Sequence, residues 1–314
     1  MKKGITYLLK LTFGLGLLLY LIFFKTKPET LFGLLRRINW PLAILAFSLH
    51  AVGLLISAIR WKLLLDDRGS RYSITTLIQY YLVGTFFSHF LPSRFGGDVA
   101  RIADTRHIRE GLAGSFAVIV YERMSGIAAL LAFALISSLV KIGFIKEIPA
   151  IYLFLVASLL AMILMIWAWK KIPENFFLRF QRSPGWFSRA LNKMNLVHAI
   201  IRDFLTRKKL LQKVMIWAFL LQFNVIIHYY FIGQSLKTAA IPFLDYFFII
   251  PILLFILSIP ISINGIGVRD FVLIKFFGYY GYDASYAIGF SLLDLFFNLV
   301  LGILGGIIYI FRRK

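Results

Sequence analysis

Apolar runs of bilayer-spanning length constrain this chain more than any other feature. Six of them, 4–24, 41–61, 111–140, 149–169, 213–233 and 286–310, reach the ~20 mainly apolar residues that a helix needs to cross a membrane. Two further runs, 73–91 and 244–262, are apolar but end in Pro and Gly. Hydrophobic residues make up 60% of the 314-residue chain and charged residues only 16%, against about 25% charged in a soluble domain. No ladder of alternating ten-residue segments signals a β-barrel. The expected class is therefore an all-α polytopic membrane protein.

The charges orient these spans. Segment 170–212 carries eleven Lys or Arg, counting Lys213 at its edge, against Glu174 and Asp203, and the positive-inside rule makes it cytoplasmic. Lys2-Lys3 and Arg312-Arg313-Lys314 place both termini there as well, and loop 234–243 is expected outside. The net charge of +21 then reflects basic loops facing anionic headgroups rather than nucleic-acid binding. Met1-Lys2-Lys3 and the apolar run after it read as an uncleaved first span in the cell membrane. Within 170–212, residues 186–211 place Phe187, Leu191, Met194, Val197, Ile201, Phe204 and Leu205 at helical spacing, the pattern of an interfacial amphipathic helix.

Six full spans satisfy the charge rule only if 73–110 and 244–282 each enter and leave on the same side. Two oppositely oriented re-entrant, broken-helix hairpins are thus expected. Their sequences correspond: Pro92 and Pro260 end apolar runs, Gly97 and Gly265 follow five residues later, and Arg101 and Arg269 sit nine residues after the Pro. Pro and Gly free backbone groups, which at membrane depth survive only inside protein or beside a water-filled cavity. The flanking spans repeat too, so the chain reads as a single domain, 1–314, with inverted halves at about 41–140 and 213–310 and a basic linker at 170–212. That is a common plan of secondary transporters.

Ionisable residues inside spans are costly, about 2.5–3.5 kcal/mol each on insertion scales, and normally pair or line a pathway. Glu122 and Arg123 lie within 111–140 and Asp294 within 286–310; Arg94, Asp98 and Arg101 belong to the first hairpin, Asn264, Arg269 and Asp270 to the second. Together they form the expected substrate site. Arginines at broken-helix tips suit a phosphate, which guanidinium grips bidentately. For Glu122 and Asp294 two physical solutions exist, permanent pairing with a cation or protonation. His50, His89 and His228 read as interhelical hydrogen-bond partners rather than catalytic or metal-binding groups, and Arg60-Trp61-Lys62 as an interface anchor. With no cysteine, thiolate chemistry and disulfides are excluded.

Arg60-Trp61-Lys62, the turn from Pro92 to Arg101 with Gly96-Gly97-Asp98, Glu122-Arg123, and Ser262-Ile263-Asn264-Gly265-Ile266-Gly267-Val268-Arg269-Asp270 resemble the lysylphosphatidylglycerol synthase transmembrane-region family. That family includes the flippase half of multiple-peptide-resistance proteins and free-standing flippase-like proteins. Asp270 stands where Glu is usual, and Ser-Ile-Asn replaces a Pro- and Gly-rich lead-in. The resemblance implies a lipid flippase for a phosphate-bearing lipid, whether a phospholipid, an aminoacyl-phospholipid or a polyprenyl-phosphate carrier. No aminoacyl-transferase segment follows the last span, so a transporter rather than an enzyme is expected.

No Gly-x-x-x-x-Gly-Lys-Ser/Thr motif occurs, which argues against ATP hydrolysis by this chain. Cofactors and metals are not expected. The expected partners are anionic or phosphate-bearing membrane lipids, with a second copy of the chain and a lipid-synthesis enzyme as further candidates. The alternative is an intramembrane lipid-linked glycosyltransferase or lipid-modifying enzyme, for which Asp98 and Asp104 are the only local carboxylate pair.

Overall fold

A computed structural model describes residues 20, 28–90, 96–140, 149–180, 185–237, 241–258 and 267–312. Eleven α-helices and one short 3-10 turn occur among them, with no strand. In chain order the helices are α1 Pro28–Arg36, α2 Trp40–Asp67, α3 Ile74–Phe90, α4 Gly96–Asp104, α5 Gly111–Val140, α6 Pro149–Lys171, α7 Trp186–Thr206, α8 Lys208–Ser235, α9 Phe243–Ser258, α10 Val268–Tyr279 and α11 Ala284–Phe311. The protein is an all-α polytopic membrane protein. Five helices are long and apolar enough to cross a bilayer: Trp40–Asp67, Gly111–Leu139, Tyr152–Lys171, Lys208–Ser235 and Ala284–Phe311. They coincide with five of the six expected spans; the sixth, 4–24, lies almost wholly outside the described residues.

Local chemistry sets the helix starts. Asn39 precedes α2, where its Oδ1 accepts from the Leu42 N–H at 3.4 Å and Pro41 takes an early position that needs no amide hydrogen. Ser73 Oγ accepts from the Thr76 N–H at 3.1 Å ahead of α3, and Asp283 accepts from the Ser285 N–H at 2.7 Å ahead of α11. Each satisfies one donor that a helix N-terminus leaves open.

The two ambiguous apolar runs become shorter helices followed by still shorter ones. α3 has 17 residues and α9 has 16, about 24–26 Å of helix, less than the ~30 Å hydrocarbon core. α4 and α10 add 9 and 12 residues. The expected turns between them, with Arg94 and Asn264, lie outside the described residues. What is described folds back on itself. A Cβ built at Gly97 would sit 2.4 Å from the Gly84 carbonyl oxygen and 2.3 Å from Ser88 Oγ, so the start of α4 lies directly on the end of α3. In the second pair, Tyr280, just beyond α10, donates its hydroxyl to Asp245 in the first turn of α9 at 2.5 Å, so that pair leaves where it begins. Pro251 sits inside α9.

The chain gathers into two compact units. One takes the residues up to Leu54 with Tyr81–Asp98 and Gln222–Lys314; the other takes Leu55–Tyr80 and Val99–Leu221. In the first, α10 and α1 pack on α11. α11 also approaches α3 very closely: a Cβ at Gly305 would lie 1.9 Å from the Leu82 carbonyl oxygen, and one at Gly306 would lie 2.8 Å from the Phe86 ring. Small residues permit such backbone approach where no water is available to drive association.

In the second unit, α5 packs on α7 and α6. The expected amphipathic helix is α7, which buries Leu191, His198, Ile200, Ile201 and Phe204 against protein while Trp186, Phe187 and Met194 stay exposed. It stops at Thr206 rather than 211. Arg207 breaks the helix (φ −80, ψ 83), its guanidinium paired to Asp67 at 2.8 Å and Asp203 at 2.9 Å. Arg68 pairs with Asp203 and Asp67 and lies 3.6 Å from Glu110, and its guanidinium stacks 4.6 Å over the Phe204 ring.

Candidate functional site

Each unit holds a buried carboxylate flanked by two basic residues from two other helices. In the unit containing α5, Glu122 Oε1 lies 3.2 Å from Arg60 Nη2 on α2, and Oε2 accepts from Arg101 Nη2 on α4. Arg101 also stacks 4.1 Å over the fully buried ring of Trp61. Arg60, Arg101 and Glu122 are 5%, 7% and 3% exposed. One turn beyond Glu122, Gly126 leaves room for the Arg60 guanidinium, whose Nη1 would stand 3.5 Å from a Cβ there.

In the unit containing α11, Asp294 Oδ2 accepts from Arg269 Nη1 on α10 at 2.5 Å, and Oδ1 lies 3.5 Å from His228 Nε2 on α8. Asn298 Nδ2 donates to the same Oδ1 at 3.3 Å. His228 is held by its other nitrogen: Nδ1 lies 2.7 Å from the Ala46 carbonyl. A turn earlier on α8, Asn224 donates to the Leu49 carbonyl at 2.9 Å.

The clusters are chemically parallel. The same interval, 41 residues, separates Arg60 from Arg101 and His228 from Arg269. Glu122 and Asp294 are offset from that register by one helical turn, which keeps both on corresponding faces. Of the two solutions open to the membrane-embedded acids, the structure shows pairing with cations for both.

The remaining expected residues are distributed as follows. Asp98 is buried in the first turn of α4, where a carboxylate favours the helix N-terminus. Arg123 is exposed on α5. Asp270 Oδ2 accepts from the Gly267 N–H at 2.8 Å; Gly267 has φ +79, a conformation that glycine adopts without strain. Arg94 and Asn264 fall outside the described residues.

Sequence reasoning missed Arg60, His50 and His228 as members of these clusters. The available signal was register: the shift that superposes Pro92 on Pro260 and Arg101 on Arg269 also carries Arg60 onto His228. Of the histidines, His228 does bond another helix, through Ala46, whereas His89 bonds the Thr85 carbonyl of its own helix at 2.8 Å.

The sequence profile of the lysylphosphatidylglycerol synthase transmembrane region matches residues 7–306. A UPF0104 membrane protein of Pyrococcus horikoshii is 25% identical over 335 aligned positions, covering 100% of this chain and 98% of that protein. A UPF0104 membrane protein of Archaeoglobus fulgidus is 33% identical over 82 residues, 26% of this chain and 25% of that protein. No solved structure matches the chain.

Proposed function

The chain belongs to the lysylphosphatidylglycerol synthase transmembrane-region family, and on that premise we propose that it moves a phosphate-bearing lipid across its membrane. One observation carries the proposal. Arg60, which reaches Glu122 through Nη2, keeps two buried donor nitrogens, Nε and Nη1, that find no acceptor among the described residues. Arg269 Nε is left the same way beside Asp294. Buried donors without acceptors cost about 1–3 kcal/mol each, and a phosphate oxygen is the acceptor that best matches a guanidinium fork. The headgroup engages these clusters while the acyl chains stay in lipid. The clusters serve as counterparts in a proposed inverted repeat with halves at about 41–140 and 213–310, and each offers the phosphate a guanidinium.

The test is exchange of a fluorescent phospholipid between leaflets of proteoliposomes, read as the fraction accessible to an external quencher. Arg101→Lys and Arg60→Gln are expected to slow exchange at least tenfold, the first because an ammonium replaces neither the fork nor the stacking on Trp61. Wild-type rates in both variants, with unchanged folding, would remove the clusters from the transport path.

A further inference from the structure

His50, on α2, joins His228 and Asp294: one ligand atom from each of the three lies within 4.8 Å of the others. The rings of His50 and His228 meet edge to face with centroids 5.0 Å apart. His228 Nδ1 donates to the Ala46 carbonyl, so Nε2 of the neutral ring presents a lone pair to the Asp294 carboxylate. His50 Nδ1 and His228 Nε2 are both buried and make no hydrogen bond among the described residues. With His50 as its Nε2–H tautomer, two lone pairs and an anionic oxygen face one another and repel, and a positive charge placed among them draws them together.

We propose that His50, His228 and Asp294 bind a divalent transition-metal ion of the zinc class. A proton on His228 Nε2 would serve Asp294 but leave His50 Nδ1 buried and bare. Protonating both rings would set two imidazoliums beside each other and beside Arg269. One dication satisfies all three atoms at once. Ligand atoms around a tetrahedral ion with bonds of about 2.0–2.2 Å stand roughly 3.3 Å apart, so modest side-chain rotations close the set. Two imidazoles and one carboxylate select zinc, cobalt, nickel or copper over magnesium or calcium. The supporting shell is present as well: Ala46 fixes the His228 tautomer, and Arg269 and Asn298 hold the Asp294 carboxylate. Arg269 opposes the ion by charge, but it occupies Oδ2 and leaves Oδ1 as a single ligand. His50 is only partly buried, which gives the ion a way in. Where Arg60 supplies a fixed positive charge beside Glu122, its counterpart His228 supplies one of three ligands for an exchangeable one.

The experiment measures metal content and, with Co2+, the visible absorption of tetrahedral coordination, on the full chain in detergent carrying a histidine-free purification tag. The expected result is one Zn2+ or Co2+ per chain, weakened at least tenfold in His50→Gln and in His228→Gln and unchanged in His89→Gln. Mg2+ in excess should not compete. His50→Gln leaves the Arg269–Asp294 pair intact, so its result stands even if His228→Gln fails to fold. Wild-type binding no stronger than in His50→Gln, or equal loss in His89→Gln, would overturn the site, as would a His50–His228 pair that carries only protons and takes up no metal.

Discussion

Arg60 Nη2 approaches Glu122 Oε1 to 3.2 Å across 62 residues of sequence, while the other oxygen of the same carboxylate is held by Arg101. Glu122 is thus the counter-ion of two buried guanidiniums. Removing one partner of a buried pair is strongly destabilising because an uncompensated charge remains. Glu122→Gln takes the carboxylate away from both and is expected to cost about 3–5 kcal/mol, read as a fall in thermal midpoint in detergent. An unchanged midpoint would mean that the arginines find their counter-charge elsewhere.

A second prediction concerns pH. Burial tends to raise the Asp203 carboxyl, but hydrogen bonds from Arg68 and Arg207 outweigh it and hold the group below its ordinary value of 3.8. A depressed carboxyl contributes stability that is complete above the unfolded value and is lost as pH falls through the folded one. The docking of α7 should therefore hold through the neutral range and loosen only below about pH 4. Asp203→Asn should loosen it at pH 7. Amide exchange across 186–206 is the readout; equal protection in wild type and variant at pH 7 would show that apolar burial alone seats the helix.

The Tyr280–Asp245 bond closes the second hairpin. Burial, and then the Asp245 carboxylate, push the Tyr280 phenol upward, so it stays protonated and donating at every physiological pH. Tyr280→Phe removes a hydrogen bond to a charged acceptor, a loss of about 1.5–3 kcal/mol. Thermal unfolding should register that loss, and Asp245→Asn should cost less because an amide oxygen still accepts. Equal midpoints for wild type and Tyr280→Phe would show that the pair is held together by packing alone.

Gly305→Ala places a methyl group 1.9 Å from the Leu82 carbonyl oxygen, and backbone cannot step aside as a side chain can. Overpacking of this kind costs typically 1–3 kcal/mol or more. Gly33→Ala, with nothing within 4 Å of the added carbon, is the control and should be neutral or slightly stabilising through better helix propensity. If both variants unfold alike, α3 and α11 do not touch where the structure places them.

The spans were readable because a bilayer demands a minimum apolar length, and five of the expected runs are helices here. The shorter helices at 74–90 and 243–258 were readable as two separate apolar runs, while most of each Pro–Gly turn expected after them lies outside the described residues. The clusters were readable only in part. Arg60 followed by Trp61 and Lys62 mimics the end of a span, yet α2 continues to Asp67 and carries Arg60 inward to Glu122. Glu122 beside Arg123 suggests a local pair, but successive helical residues face different ways, and Arg123 turns outward. The end of α7 at Thr206 depends on Arg207 reaching Asp67, 140 positions away, which no local pattern encodes.

The glycine contact between α3 and α11 bears on the proposed lipid movement. At Gly305 and Leu82 the two backbones touch with no side chain interposed, and Phe86 fills the next turn against Gly306. A hydrocarbon tail has no gap to occupy at those turns. On the proposed function, a doorway through which acyl chains slide sideways from the bilayer would open away from those turns.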